Sequence, residues 1–172
     1  MDADKQISSA AGKPGATVER TSERELLVTR TVNGPVRMVF EAWVKPDLFQ
    51  RWWAPQSFGL TLVSYEADVR TGGAYRLVMG HPSAERPMTF FGRYIDVTAP
   101  SRLVWTNDEG GEDGPVTTVT FVDKDGATRV VVHELYPSKE ALDAAMASGS
   151  TGGWGEQFEQ LDELVVMRDS EV

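Results

Sequence analysis

The chain has 172 residues, 41% of them hydrophobic and 25% charged, with a formal net charge of −9. That length and mix suit one globular domain. The surplus of carboxylates excludes partners read through a positive face, namely nucleic-acid backbones and anionic membrane surfaces.

No cysteine is present, which removes disulfides and thiolate metal sites and makes a cytoplasmic setting the simplest reading. Residues 1–22 are small and polar, lack the apolar core of a signal peptide, and are expected to form a disordered tail. Residues 23–168 are expected to form a single domain. No apolar run reaches the ~20 residues a membrane-spanning helix needs.

"ELLVTRTVN" (25–33) reads as a strand, and Gly34-Pro35 punctuate its end. Val36, Val39, Phe40, Trp43 and Val44 recur at helical spacing, so an amphipathic helix follows. Pro46 interrupts it, and a second short helical piece carries "DLFQRWW". Six strands come next, over residues 60–70, 74–80, 88–98, 102–107, 116–123 and 128–136. They are separated by Gly-Gly, by "HPSAERP", by Pro100, by the acidic loop 108–115, and by "KDG". Ser138 is an expected N-cap, and "GSTGG" breaks the helix it starts. Trp154, Phe158, Leu161 and Val165 then make one apolar stripe, so a helix over about 154–167 is expected to lie on the sheet. The consecutive hairpins imply an antiparallel sheet with helices on one side. The expected architecture is an α+β helix-grip: seven antiparallel strands wrapped around a long C-terminal helix, with two short helices after the first strand.

The stretches "PVRMVFEAWVKPDLFQRWWAP", "DVRTGGAYRLVMG", "FFGRYIDVTAPSRLVWTN", "VTTVTF" and "HELYPSKEALDAAMASGSTGGWGEQFEQLDEL" occur in that order. Together they resemble the START-like (SRPBCC) superfamily. Within it they resemble the branch named for the C-terminal domain of the HSP-90 ATPase activator, over roughly residues 24–167. The resemblance implies a hydrophobic cavity between sheet and C-terminal helix. Relatives bind lipids, hormones, polyketides or other apolar ligands, and some are cyclases or hydrolases. The eukaryotic activator carries a further N-terminal chaperone-binding domain, which is not expected here, so chaperone activation is not the leading expectation.

Alternation along the strands assigns faces without that resemblance. It points Val63, Tyr65, Ala67 and Val69 inward, then Tyr75, Leu77 and Met79, then Leu103 and Trp105, then Val119 and Phe121. Between Phe90 and Phe91 parity does not decide, and Phe91 is taken as inward together with Ile95 and Val97. Tyr65, Tyr75, Trp105 and Trp154 are expected to ring the cavity with one of Trp52 and Trp53. Met79, Phe91, Val119 and Phe158 complete the apolar lining. Adjacent helical residues point about 100° apart, so one of the two adjacent indoles anchors the short helix and the other forms the cavity lip.

In the last strand Arg129, Val131 and His133 share a face, read as outward. Glu134 then turns toward the cavity mouth, as a candidate acid or base. His81, beside Pro82 in a turn, and the acidic run from Asp108 to Asp113 are read as solvated. No H-E-x-x-H, G-x-S-x-G or P-loop occurs. "GSTGGWG" follows a helix rather than a strand, so it reads as a helix break and not a dinucleotide site. No metal or cofactor is expected. The leading function is non-catalytic binding of a small apolar molecule by a monomer or homodimer. The alternatives are a cyclase- or hydrolase-type enzyme using Glu134 or a tyrosine, and a co-chaperone or other protein-binding module.

Overall fold

Thr17–Arg20 form a first strand, β1, inside the segment expected to be tail. The computed structural model describes residues 16–109, 111, 114–149 and 151–170, so the rest of that expectation, residues 1–15, lies outside the described residues. All four β1 side chains are exposed, so no apolar alternation announces the strand. Its backbone pairs antiparallel with β2 (Glu25–Val32), from Thr17 opposite Thr29 to Arg20 opposite Leu26. Arg20 also pairs with Asp143 at 2.7 Å.

After β2 come α1 (Val36–Val44), α2 (Pro46–Phe49) and a 3₁₀ turn (Gln56–Phe58). The strands β3 (Thr61–Ala67), β4 (Ala74–Gly80), β5 (Met88–Thr98), β6 (Arg102–Thr106), β7 (Val116–Lys124) and β8 (Ala127–Leu135) follow. Two helices close the chain, α3 (Lys139–Ala147) and α4 (Trp154–Ser170). The sheet has eight strands rather than seven, in the order β1-β2-β8-β7-β6-β5-β4-β3, with every neighbouring pair antiparallel. It is an α+β helix-grip: hairpins build the sheet in sequence, and β2 returns beside β8.

The helices start where their chemistry places them. Pro35 precedes α1 in extended conformation, and Pro46 opens α2. The Ser138 hydroxyl accepts from Ala141 N at 3.1 Å and caps α3. On α4 the stripe of Trp154, Phe158, Leu161 and Val165 is buried throughout. The helix meets the β2–α1 turn so closely that a Cβ on Gly34 would run into the Val165 side chain. The sheet's inner face supplies the other half of the core through Leu26, Val28, Val119, Val130 and Val132, all buried. Each such side chain contributes about 1.5–3 kcal/mol by leaving water.

Two register shifts correct the face assignments. One falls between Leu62 and Ser64 in β3. It throws Val63 outward, 62% exposed, while Leu62, Tyr65 and Ala67 stay against the core. The other falls between Tyr94 and Asp96 in β5. Phe90, Gly92 and Tyr94 therefore share the inner side, and the extra residue returns Val97 to it. Phe91 and Ile95, expected inward, face out at 42% and 48% exposure. A bulge adds one residue to one strand and so inverts every parity beyond it. Position 92 has to be glycine, because a Cβ there would strike the Thr106 carbonyl oxygen. Tyr75 lies opposite Gly92 on β4 and covers the bare position.

Candidate ligand cavity

A cavity of about 400 Å³ opens between the inner face of β3–β6, the segment from α1 to the 3₁₀ turn, and the N-terminal end of α4. One wall is a stack of three rings. Trp53 lies on Phe49 with centroids 4.7 Å apart, and Phe49 lies on Tyr65 at 4.6 Å, each pair tilted by 25°. Trp43 and Trp105 meet at 6.1 Å on another side. Tyr75, Tyr94, Leu77, Met79, Phe90 and Leu103 line the sheet side, and Phe58, 44% exposed, stands among the lining residues nearest solvent.

The adjacent indoles divide, although the helix expected to carry them ends at Phe49 and both lie in the turn that follows it. Trp52 is 1% exposed and donates its Nε1 proton to the Ala42 carbonyl at 2.9 Å, which ties the end of α2 to α1. Its neighbour Trp53 is half-buried and lines the cavity.

Of the residues expected to bind ligand, Trp53, Tyr65, Tyr75, Met79 and Trp105 line the cavity, and Trp52, Phe91, Val119, Glu134, Trp154 and Phe158 do not. Trp154 packs behind the wall, edge-on to Trp53 at 5.8 Å and against Phe158 at 5.7 Å. Phe158 and Val119 are inward but belong to the filled part of the core. Phe91 is outward, and Phe90 takes its expected place. Glu134 is on the inner face but accepts from Tyr136 Oη at 3.1 Å, away from the cavity, and burial pushes its carboxyl up. On the outer face His133 Nε2 meets Glu25 Oε2 at 2.8 Å, a hydrogen bond that holds the Glu25 carboxyl below its usual value. His81 Nδ1 is held by Ser83 Oγ at 2.7 Å.

Polar groups in the cavity are few and uncharged. Tyr75 Oη donates to the Thr106 carbonyl at 2.7 Å and lies 3.4 Å from Asn107 Oδ1. Asn107 Nδ2 in turn donates to Pro115 O and Thr117 Oγ1 at 2.9 and 3.1 Å. Burial pushes the Tyr65, Tyr75 and Tyr94 phenols up, so all three are neutral at physiological pH. The Trp43 indole N–H is buried without a partner. Among the described residues no Lys, Arg, His, Asp or Glu lines the cavity. Nor, among them, do three or more His, Cys, Asp or Glu side chains gather in a way that could hold a metal.

Sequence reasoning missed a polar strap. Gln157 Nε2 donates to Trp53 O at 2.6 Å, and Gln160 Nε2 donates to Trp52 O and Ala54 O at 2.8 and 2.9 Å. Gln160 Oε1 accepts from Gln56 N at 3.0 Å, while the Glu156 carboxylate takes both the backbone N–H and the hydroxyl of Ser57. Three side chains from the first turns of α4 thus satisfy the irregular backbone that carries the Trp53 wall. Their signal was present as polar residues flanking the apolar stripe, a pattern that ordinarily marks a solvent face.

The model of the activator of Hsp90 ATPase homolog 1-like protein family matches residues 33–166. No curated protein matches the chain. Among solved structures, a Nitrosomonas europaea protein is 22% identical with a TM-score of 0.78, covering 88% of this chain and 99% of that one. A Mycobacterium smegmatis protein is 25% identical at a TM-score of 0.75, with 89% and 99% covered. An AHSA1-like protein from Aeromonas hydrophila is 23% identical at a TM-score of 0.59, with 77% and 92% covered. Among the described residues no helix is long and apolar enough to cross a membrane.

Proposed function

The chain belongs to the activator of Hsp90 ATPase homolog 1-like family, and from that premise we propose that it binds a small hydrophobic molecule, without catalysis, in the cavity between sheet and C-terminal helix. The observation that carries this reading is the cavity itself: about 400 Å³, walled by stacked rings and free of charged side chains among the described residues. Small-molecule pockets run from about 300 to 1,000 Å³ and are mostly apolar with a few placed polar groups. A non-catalytic role is supported by where the titratable groups sit. Glu134 and Tyr136 form a carboxylate–phenol pair, as an acid–base mechanism would want, but neither lines the cavity. A co-chaperone role is the second reading, favoured by the family's name and by Phe91 and Ile95 exposed together on one face of β5. A cytoplasmic monomer or homodimer fits a chain that needs no oxidising compartment to fold.

Titration with Nile red, a neutral solvatochromic dye, tests the leading reading. Saturable blue-shifted emission at one dye per chain is expected, together with a rise in melting temperature that grows with dye concentration. Trp53→Ala should weaken binding at least about tenfold, since it removes one ring of the wall and one stacking partner. Dye emission that never saturates, or that Trp53→Ala leaves unchanged, would sink the reading.

A further inference from the structure

Three phenols line the cavity, and their protons can be counted. Tyr75 spends its proton on the Thr106 carbonyl. Tyr65 and Tyr94 both line the cavity, close enough to each other to interact. Among the described residues neither hydroxyl donates a hydrogen bond to any other acceptor, and the Asn107 amide oxygen faces Tyr75. Two neighbouring phenols can place at most one proton between them. The other proton is left over, whichever phenol donates.

The Trp43 indole, 2% exposed and part of the cavity lining, has an N–H without a partner. Buried donors are normally paired, and one left alone bears its full desolvation cost. The Trp43 N–H is buried beyond reach of the cavity, but Tyr65 and Tyr94 present it with at least one phenol proton that they cannot spend on each other, and the described lining carries no formal charge.

We infer that the cavity is built for a neutral ligand whose apolar, ring-sized body carries a hydrogen-bond acceptor, a ketone, ester or ether oxygen, received by the Tyr65–Tyr94 phenol pair. This rests on the cavity-binding reading and sharpens it. Stacked rings on one side and Met79 and Leu103 on the other suit a flat apolar body. A carboxylate would be buried with no cation to meet it. A hydroxyl would bring a further donor where donors are already in surplus.

The test is displacement of Nile red by three naphthalenes of one shape. 2-Acetonaphthone carries a carbonyl, 2-ethylnaphthalene lacks it, and 2-naphthoate replaces it with a charge. The ketone should displace the dye about tenfold more tightly than the hydrocarbon, the worth of one well-placed hydrogen bond. The naphthoate should be the weakest of the three. In the Tyr65→Phe/Tyr94→Phe double variant the ratio of ketone to hydrocarbon should fall to about twofold or less. Equal affinity of ketone and hydrocarbon in the unmodified chain overturns the inference and leaves the cavity reading standing. So does a tenfold ratio that survives in a double variant with an intact melting transition. Naphthoate binding as tightly as the ketone overturns the requirement for a neutral ligand. If neither dye nor naphthalene binds, the cavity reading falls and this inference with it. Should the double variant melt too low to titrate, the unmodified chain's three affinities decide alone.

Discussion

The two halves of one sheet pack in opposite ways. At the β2–β8–β7 end the inner face is Leu26, Val28, Val130, Val132 and Val119, and α4 answers with Leu161 and Val165; all are buried and the layers close. At the β6–β3 end the inner face sets the rings of Trp105, Tyr94, Tyr75 and Tyr65 among Leu77, Met79 and Leu103, and the layers stand apart around a cavity. The difference is in the side chains. Branched aliphatics mesh at crystal-like density. Rings have few rotamers and lie on one another, and the Tyr75 phenol is moored to the main chain at Thr106. A wall of this kind resists collapse into the space beside it, so rigidity rather than missing volume keeps the second half open.

The sharpest way to break this comparison is to truncate filled-core rings and a cavity-wall ring side by side. Trp52→Ala should cost about 3–5 kcal/mol, because it empties a filled site and orphans the Ala42 carbonyl. Phe158→Ala, in the filled part of the core, should cost about the same. Trp53→Ala should cost well under half of that, since its ring already borders empty space. Denaturant melts on the three variants decide; equal losses would mean that the aromatic half is as tightly packed as the aliphatic one.

A middle-sized effect is expected from the strap. Gln160→Ala frees two carbonyls and one N–H on the Trp52–Gln56 segment. Water can replace part of what is lost, so the expected cost is about 1–2 kcal/mol. The same change should speed Nile red release in stopped-flow dilution, because the wall that holds the dye is less firmly held itself. Release at the original rate would show that the wall stands without the strap.

The smallest effect concerns Glu134, which sits toward the closed half. Its carboxyl is pushed up by burial from an ordinary 4.5. An acid whose folded pKa exceeds its unfolded one binds more protons folded than unfolded, so stability falls as pH rises through that window. Glu134→Gln removes this titration and keeps an acceptor for Tyr136. Melting temperature should therefore rise at neutral pH and be unchanged in acid below the ordinary carboxyl range. A gain of the same size at both ends would place the cause in packing instead.

Much of the fold was legible in the sequence because it is periodic. The stripe on α4, the hairpin turns, and the inward Tyr75, Leu77 and Met79 all follow from spacing. Parity failed where the backbone inserts a residue: the shift at Tyr94/Asp96 hid Phe90 behind Phe91, and the shift at Leu62/Ser64 put Val63 outside. Gly92 carried a usable clue, since a glycine opposite a tyrosine marks a strand face with a close neighbour. β1 left no clue in its side chains, all of which are exposed. The candidate site was legible only in part, because alternation tells which face a residue is on and not how far the opposing layer stands from it. Val119, Trp154 and Phe158 were read correctly as inward and sit where the layers touch.

The strap has a consequence for how such a pocket can change. Gln157 and Gln160 grip the main chain of residues 52–56, not the side chains that project from it. Holding and recognising are thereby assigned to different atoms. Positions 53 and 58 can exchange one side chain for another while the segment stays moored in the same place. Within a lineage, this cavity wall can therefore drift toward new ligands by single substitutions, with no compensating change required on the helix that anchors it.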